Sequence, residues 1–196
     1  MVQDERADAQ ANRETILQAS CDLITAHGDF SMTDLSKLSG LSRMTVYRHF
    51  SDRNAVLDAL VLRETTRLRS TVVDLAGSGD LSTAVDAYAE AVAELADGRR
   101  EMLFAAAARV EHVARETLSD SFVAGMLAER RAAGEHHSPL RDGWLAVCMR
   151  SLSMAAVFDP RESAQVARDL SAALHQLLAL PRAAAQQQPQ PAAASR

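Results

Sequence analysis

Hydrophobic positions along this chain recur with a helical period from about residue 12 to residue 180. Between Asn12 and His27, for example, Ile16, Leu23 and Ile24 share one face at spacings of seven and eight residues. No stretch shows the period-two alternation of Val, Ile or Thr that is typical of a strand. The pattern therefore predicts an all-α protein, and abundant Ala with only 4% aromatic residues agrees with it.

Residues 31–50 predict two short helices joined by a tight turn. Ser31 and Asp34 match a capping box that starts the first helix. Gly40 can adopt a positive φ, which lets the chain turn within a few residues, and Ser42 can cap the second helix. This arrangement is a helix-turn-helix.

The second of these helices has a polar, cationic outer face. Val46 and Phe50, four residues apart, point it at the core. From Leu35 to Arg53 the chain has four basic residues and a single acid, Asp52. Such a helix fits the major groove of DNA, and its charge suits the phosphates. The alternative interpretation is a solvated helical hairpin. The outer face consists of Arg43, Met44, Tyr47 and Arg48.

Residues 42–57 resemble the signature of the TetR family of transcriptional regulators. They read Ser-Arg-Met-Thr-Val-Tyr-Arg-His-Phe-Ser-Asp-Arg-Asn-Ala-Val-Leu, with the family's Tyr-x-His-Phe followed by a basic residue and an apolar pair. The resemblance is close over about residues 10–65 and elsewhere covers only the helical layout. One departure is that the chain between Gly28 and Leu35 is about two residues shorter than the family pattern.

The resemblance implies a homodimeric, ligand-responsive regulator, which we expect to be a repressor on a (pseudo)palindromic operator of double-stranded DNA. A small-molecule effector would release it. Implied phosphate contacts are Tyr47, His49 and Arg53, with Lys37 as an outlying one. Arg43 and Met44 would read bases, and Thr45 would touch the backbone or a base edge. The full set of expected DNA-binding residues is Thr33, Lys37, Ser42, Arg43, Met44, Thr45, Tyr47, Arg48, His49 and Arg53.

Four segments follow from these patterns. Residues 1–9 are expected to be a disordered N-terminus, and residues 10–70 the helix-turn-helix DNA-binding domain. Residues 71–180 are expected to form a helical ligand-binding and dimerisation domain. Residues 181–196, which consist mainly of Ala, Gln and Pro, are expected to be a disordered tail.

Cap and stop signals divide the second domain into helices. A long helix is predicted from Ser51 or Asp52 to about Ala76, which would link the two domains. Ser138 and Pro139 are interpreted as the start of another helix, and Asp159 with Glu162 as a capping box. The predicted helices are residues 81–96, 99–113, 119–133, 138–158 and 160–180.

Large and adaptable apolar side chains predict a ligand pocket in the second domain, although core packing would explain most of them equally well. Arg109 and Arg150 lie in apolar helices, so each must pair with an acid, reach water or meet an anionic ligand. Pairing is the favoured interpretation. The candidate pocket residues are Phe104, Arg109, Phe122, Met126, Trp144 and Met149.

Apolar faces on the last two predicted helices favour a dimer interface, and the TetR resemblance implies a four-helix bundle there. Closure of the monomer's own core is the alternative. The candidate interface residues are Ser151, Ala155, Leu170, Leu174 and Leu177.

No catalytic, cofactor or metal motif is recognisable, so we expect neither an enzyme nor a bound cofactor. His136 and His137 are expected in a solvated loop. The longest apolar run, residues 102–108, is too short to span a membrane. Cys21 and Cys148 are expected to be reduced thiols in a cytoplasmic protein.

Two other classes of function remain open. One is a sequence-indifferent DNA-binding structural protein, which salt-dependent binding without sequence preference would reveal. The other is an all-α small-molecule binding protein or enzyme with a vestigial DNA-binding head, which turnover of a bound compound would reveal.

Overall fold

The computed structural model describes residues 2–77 and 80–180, and all regular structure in these two ranges is α-helical. The predicted fold class is confirmed. Nine helices occupy the described ranges: α1 (Val2–His27), α2 (Met32–Ser39), α3 (Arg43–His49), α4 (Arg53–Gly77), α5 (Leu81–Ala105), α6 (Ala107–Thr117), α7 (Asp120–Ala132), α8 (Asp142–Val157) and α9 (Ser163–Leu178).

Helices α1 to α3 and the start of α4 form a small head, whose buried apolar residues continue into the core of the second domain. Ile16, Leu35 and Leu57 are fully buried there, and each comes from a different helix. Leu38, three residues after Leu35 on α2, is exposed. Met32 and Leu35 form the buried face of this short helix.

Helix α1 begins earlier than the sequence predicts. It is helical from Val2, whereas the apolar period starts only near Asn12. The expectation of a disordered segment over residues 1–9 therefore does not hold for residues 2–9. A helix that is already anchored by its apolar turns can extend through polar residues, since Ala, Gln, Glu and Arg are good helix formers.

Helix α4 links the head to the second domain, as predicted. Asp52 accepts a hydrogen bond from the Ala55 amide at 2.9 Å and caps the helix start. Beyond the head, α4 packs on α5 and α6. Helix α5 also contacts α8 and α9, and α7 packs on α8, so α5 is the centre of the second domain.

The predicted stop at Asp97 and Gly98 is a bend and not an end. Arg99 has φ −140° and ψ 17°, and α5 continues beyond it to Ala105. The chain breaks instead at Ala106, which separates α5 from α6. Because Met102 and Leu103 are buried, core packing keeps the second part of α5 in place.

The start predicted for α8 at Ser138 is also wrong. The Arg131 guanidinium donates to the carbonyls of Ser138 and Leu140, both at 2.7 Å, and pairs with Asp142 at 2.8 Å. These bonds hold residues 138–140 in a loop, and α8 starts only at Asp142. His136 in the same loop is buried, with Nε2 3.0 Å from the Leu127 carbonyl oxygen, and so is not solvated as expected.

Helix α9 lacks the predicted capping box. The Asp159 carboxylate binds the Arg161 amide and guanidinium instead, and these bonds lower the pKa of Asp159 to about 2. The helix starts at Ser163 without a side-chain cap. The tail predicted for residues 181–196 lies outside the described residues.

Candidate DNA interface and ligand cavity

Helices α2 and α3 form the helix-turn-helix that the sequence predicts. The Ser31 hydroxyl accepts from the Asp34 amide at 3.2 Å, and Asp34 accepts from the Ser31 amide at 3.2 Å. Gly40 ends α2 with φ 69°, a conformation that side chains other than Gly's rarely adopt. The Ser42 hydroxyl then caps α3 by accepting from the Thr45 amide at 3.1 Å.

The outer face of α3 carries the side chains expected to meet DNA. Met44 is 83% exposed, and Arg43, Tyr47 and Arg48 are exposed around it. In the described part of the chain, Arg43 and Arg48 enter no hydrogen bond or salt bridge, so both guanidinium groups are free for a ligand. Lys37 is exposed on α2.

Thr33 and Thr45 are less accessible. Both are partly buried, and the Thr45 hydroxyl lies 2.9 Å from that of Ser42. The Ser42 side chain therefore has a structural task at the start of α3 as well as the expected contact to DNA.

His49 sits at the edge of this face and is more enclosed than the sequence suggests. Its Nε2 atom is buried and has no hydrogen-bond partner within the described residues. Burial lowers the pKa of His49, and the nearby Arg48 and Arg13 lower it further. The ring is therefore neutral at physiological pH, and only a reoriented ring would reach a phosphate through Nε2.

Arg53 is held by the turn between α1 and α2. Its guanidinium Nε donates to Asp29 at 2.7 Å, and its Cζ lies 5.3 Å from the centre of the Phe30 ring. The pKa of Asp29 is lowered, first by a hydrogen bond from the Phe30 amide and then by Arg53. Arg53 thus fixes the start of α4 against the head, which sequence reasoning did not foresee.

Arg13 is a further cation at this site that sequence reasoning missed. It lies on α1 with its Cζ 4.4 Å from the centre of the Phe50 ring, beside the end of α3. Its position three residues before Ile16 places it on the side of α1 that faces the motif. That spacing was a usable signal.

The second domain contains an apolar cavity of about 130 Å³, partly open to solvent, between α4, α5, α6, α7 and α8. Of the predicted pocket residues, Met126 and Met149 line it. Leu68 of α4, Val85 of α5 and Val110 of α6 lie on other sides of it. The cavity therefore adjoins the helix that enters the head.

The other pocket candidates lie elsewhere. Phe104, Phe122 and Trp144 are 53%, 37% and 56% exposed, respectively, and none of them lines the cavity. Arg109 forms an ion pair with Asp58 on α4, also outside the cavity lining. Side-chain size thus misled the prediction, because the cavity is built from aliphatic residues.

Polar groups of the cavity were not identified from the sequence. Tyr88 of α5 and Ser153 of α8 line it, with their hydroxyl oxygens 2.7 Å apart. Each interrupts a run of small or apolar residues at helical spacing, which was the available signal.

Charged residues that border the cavity are all paired within the protein. Arg150 donates to Asp120 at 3.0 Å and to Glu111 at 3.1 Å, which raises the pKa of Arg150. Pairing was the favoured interpretation for Arg109 and Arg150, and it is confirmed for both. Glu64 is buried and pairs with the arginines at 63, 67 and 99, at 3.1, 3.3 and 3.6 Å.

The candidate dimer residues divide into two groups. Ser151 and Ala155 are exposed on α8, and Leu177 is partly buried on α9. Leu170 and Leu174 are only 4% and 0% exposed, so they pack inside the monomer and are corrected to core residues. Helix α9 packs mainly on α5.

Sequence similarity to a known protein covers part of the chain. No protein-family model matches the chain. A helix-turn-helix-type transcriptional regulator of Staphylococcus aureus is 30% identical over 74 residues, which make up 36% of this chain and 39% of that relative.

Solved structures match over most of the chain. A structure described as a TetR-family regulator from Syntrophomonas wolfei has a TM-score of 0.71 at 14% identity, over 87% of this chain and 96% of its own. A structure described as a TetR-family regulator from Rhodococcus sp. has a TM-score of 0.65 at 21% identity, and the match covers 86% of this chain and 99% of that one. The chain has the TetR fold. Within the TetR fold, α1 to α3 form the head, and α4 connects it to the domain with the cavity.

None of the helices in the described ranges is both long and apolar enough to cross a membrane. No three His, Cys, Asp or Glu side chains in those ranges gather closely enough to hold a metal ion.

Proposed function

We propose that this protein is a TetR-type transcriptional regulator, a repressor that binds a (pseudo)palindromic operator as a homodimer and is released by a small molecule. The observation that carries the proposal is the outer face of α3. A capped seven-residue helix on a tight turn presents unpaired Arg43 and Arg48 with exposed Met44 and Tyr47. Cations and donors exposed in this way are suited to phosphates and base edges.

Each expected DNA contact keeps a role in this proposal. Arg43 and Met44, at the exposed start of α3, read base edges, with Met44 suited to a thymine methyl group. Tyr47 and Arg48 bind phosphate, and Lys37 is an outlying phosphate contact. His49 and Arg53 act at the edges of the same face, and Arg13 adds positive charge there. Ser42, Thr45 and Thr33 are supporting positions.

A dimer is needed because one short helix reads only a half-site. Two recognition helices enter successive major grooves when they are about 34–36 Å apart. Exposed Ser151 and Ala155 on α8, with Leu177 on α9, offer small and apolar surface for a second copy. Small residues allow two helices to approach closely.

Release by a ligand would act through α4. This helix borders the cavity with Val61, Leu68 and Val72 and enters the head at Arg53. A ligand that favours one tilt of α4 favours one spacing of the two recognition helices. It can weaken DNA binding only by as much as it prefers the DNA-incompetent state.

The test is selection of bound duplexes from a randomised DNA pool by the purified protein. The proposal expects an enriched sequence with two-fold symmetry and half-sites one helical turn apart. Equal recovery of all duplexes would favour the sequence-indifferent structural protein. Failure to retain any duplex at low salt would contradict the regulator and leave the small-molecule binding protein.

A further inference from the structure

The size of the cavity limits its ligand. Its volume is about 130 Å³, and the lining around Leu68, Val85, Val110 and Met154 is aliphatic. An apolar protein cavity of roughly 150 Å³ holds a molecule of about the size of benzene. The cavity as it stands therefore suits a single ring or a hydrocarbon of similar size.

Charge limits the ligand further. Glu64, Asp120, Arg130 and Arg150 border the cavity, two of each sign, and every one of them has a protein partner. An ionised ligand would have to displace one of these partners or remain unpaired in an apolar space. Either event costs free energy, so the cavity favours an uncharged molecule.

The hydroxyl groups of Tyr88 and Ser153 determine which hydrogen-bonding group suits the ligand. Ser153 Oγ lies 2.9 Å from the Met149 carbonyl oxygen, four residues back in α8, and donates its only proton there. The short contact between Ser153 Oγ and Tyr88 is then a hydrogen bond that Tyr88 donates. Burial raises the pKa of Tyr88, so its phenol stays protonated. The Tyr88 oxygen keeps lone pairs that no described group approaches as a donor.

We propose that the cavity binds a small, uncharged, largely hydrocarbon molecule with one O–H or N–H group, which donates a hydrogen bond to the phenolic oxygen of Tyr88. The inference rests on the proposed function only in that this molecule would be the effector. It names the ligand class, and it is tested on the protein without DNA.

The experiment is calorimetric titration of the full chain at pH 7 with simple probes. Phenol carries a hydroxyl group where toluene carries a methyl group of similar size, so this pair tests a hydrogen-bond donor. Anisole carries an ether oxygen, which can only accept, where ethylbenzene carries a CH₂ group, so this pair tests an acceptor. Benzoate and benzylammonium carry one charge each. Toluene is expected to bind saturably, and both ions more than about 100-fold more weakly than toluene.

Tyr88→Phe separates the hydrogen bond from the rest of the binding. In this variant the ratio of phenol to toluene affinity should fall about fivefold, the value of one ordinary hydrogen bond. The ratio of anisole to ethylbenzene affinity should stay unchanged. Ser153→Ala keeps the Tyr88 hydroxyl group but removes the acceptor of its proton, so Tyr88 can donate to a ligand. This variant should instead raise the ratio of anisole to ethylbenzene affinity. Thr15→Val removes a hydroxyl group from α1, outside the cavity lining, and should leave both ratios as in the parent.

Benzoate binding more tightly than toluene would show that an anion displaces Asp120 from Arg150 and would overturn the uncharged class. An unchanged phenol ratio in Tyr88→Phe, or an unchanged anisole ratio in Ser153→Ala, would overturn the assigned donor. No saturable toluene binding would overturn the cavity as a site. If the probes bind but no operator is selected, the ligand class stands and the regulator does not.

Discussion

Arg109 and Asp58 tie α6 to α4 by two parallel hydrogen bonds, from guanidinium Nε and Nη2 to the two carboxylate oxygens. These bonds raise the pKa of Arg109. Asp58 lies five residues after the start of α4, beside the head, and Arg109 lies next to Val110, which lines the cavity. The pair therefore joins the wall of the cavity to the part of α4 that carries the head.

We predict that Asp58→Asn weakens the ligand response more than it weakens the fold. The pair is partly exposed, so its loss should change the midpoint of thermal unfolding only slightly. Without the pair, however, a movement of α6 would be coupled less strongly to α4 and so to the head. Operator binding measured with increasing effector should therefore require a several-fold higher effector concentration for release.

The charge-exchanged double variant Asp58→Arg with Arg109→Asp is the control for this prediction, since it restores an ion pair across the same two helices. It should recover much of the parent response. A single variant that is released at the parent's effector concentration would show that this pair does not couple α6 to the head.

Arg43→Ala and Tyr47→Phe should differ in kind. If Arg43 forks onto a guanine edge, its loss should cost about 1–3 kcal/mol at that base pair and relax the preference there. Tyr47→Phe should weaken binding to every duplex by about 1 kcal/mol, because a phosphate contact does not depend on the base sequence. The affinities for a saturation-mutated operator measure both the base preference and the overall loss of binding. If the Arg43 variant kept the parent's preference at every position, Arg43 would contact only the DNA backbone.

Two glycines should respond to alanine in opposite directions. At Gly40 the φ of 69° makes alanine strained, so Gly40→Ala should destabilise the protein by about 1–2 kcal/mol. At Gly125, inside α7 and in open space, alanine should stabilise it by about 0.5–1 kcal/mol. Chemical denaturation gives both values, and equal effects would contradict the turn geometry assigned to Gly40.

Local signals in the sequence predicted the head well. The capping box of Ser31 and Asp34, the turn at Gly40 and the cap at Ser42 depend on residues at most three positions apart. Nothing distant competes with them, so α2 and α3 start and end close to where the pattern places them.

The second domain was less predictable, because long-range partners decide its details. Arg131 holds the loop before α8, and Arg161 takes the carboxylate that would have capped α9. Large aromatic residues such as Trp144 indicated a pocket by size alone, whereas the aliphatic cavity depends on which helix faces meet. A helical period shows that a face is apolar but not which neighbour covers it.

The dimer proposal can be tested at a position that leaves the monomer intact. Ala155 is exposed on α8, so Ala155→Arg should change the free energy of unfolding of the monomer by no more than about 0.5 kcal/mol. At a close helix contact between two copies, however, the new side chain would bury an unpaired charge at a cost of several kcal/mol. Sedimentation velocity should then show a monomer, and operator affinity should fall because the two half-sites are no longer bound together.

Two further variants make the dimer test decisive. Ala128→Arg puts the same side chain on an exposed position of α7 and should remain a dimer. Leu174→Asp should unfold the chain, because Leu174 has no exposed surface and its replacement would bury a charge in the monomer core. A dimer that survives Ala155→Arg while Ala128→Arg breaks it would move the interface from α8 to α7.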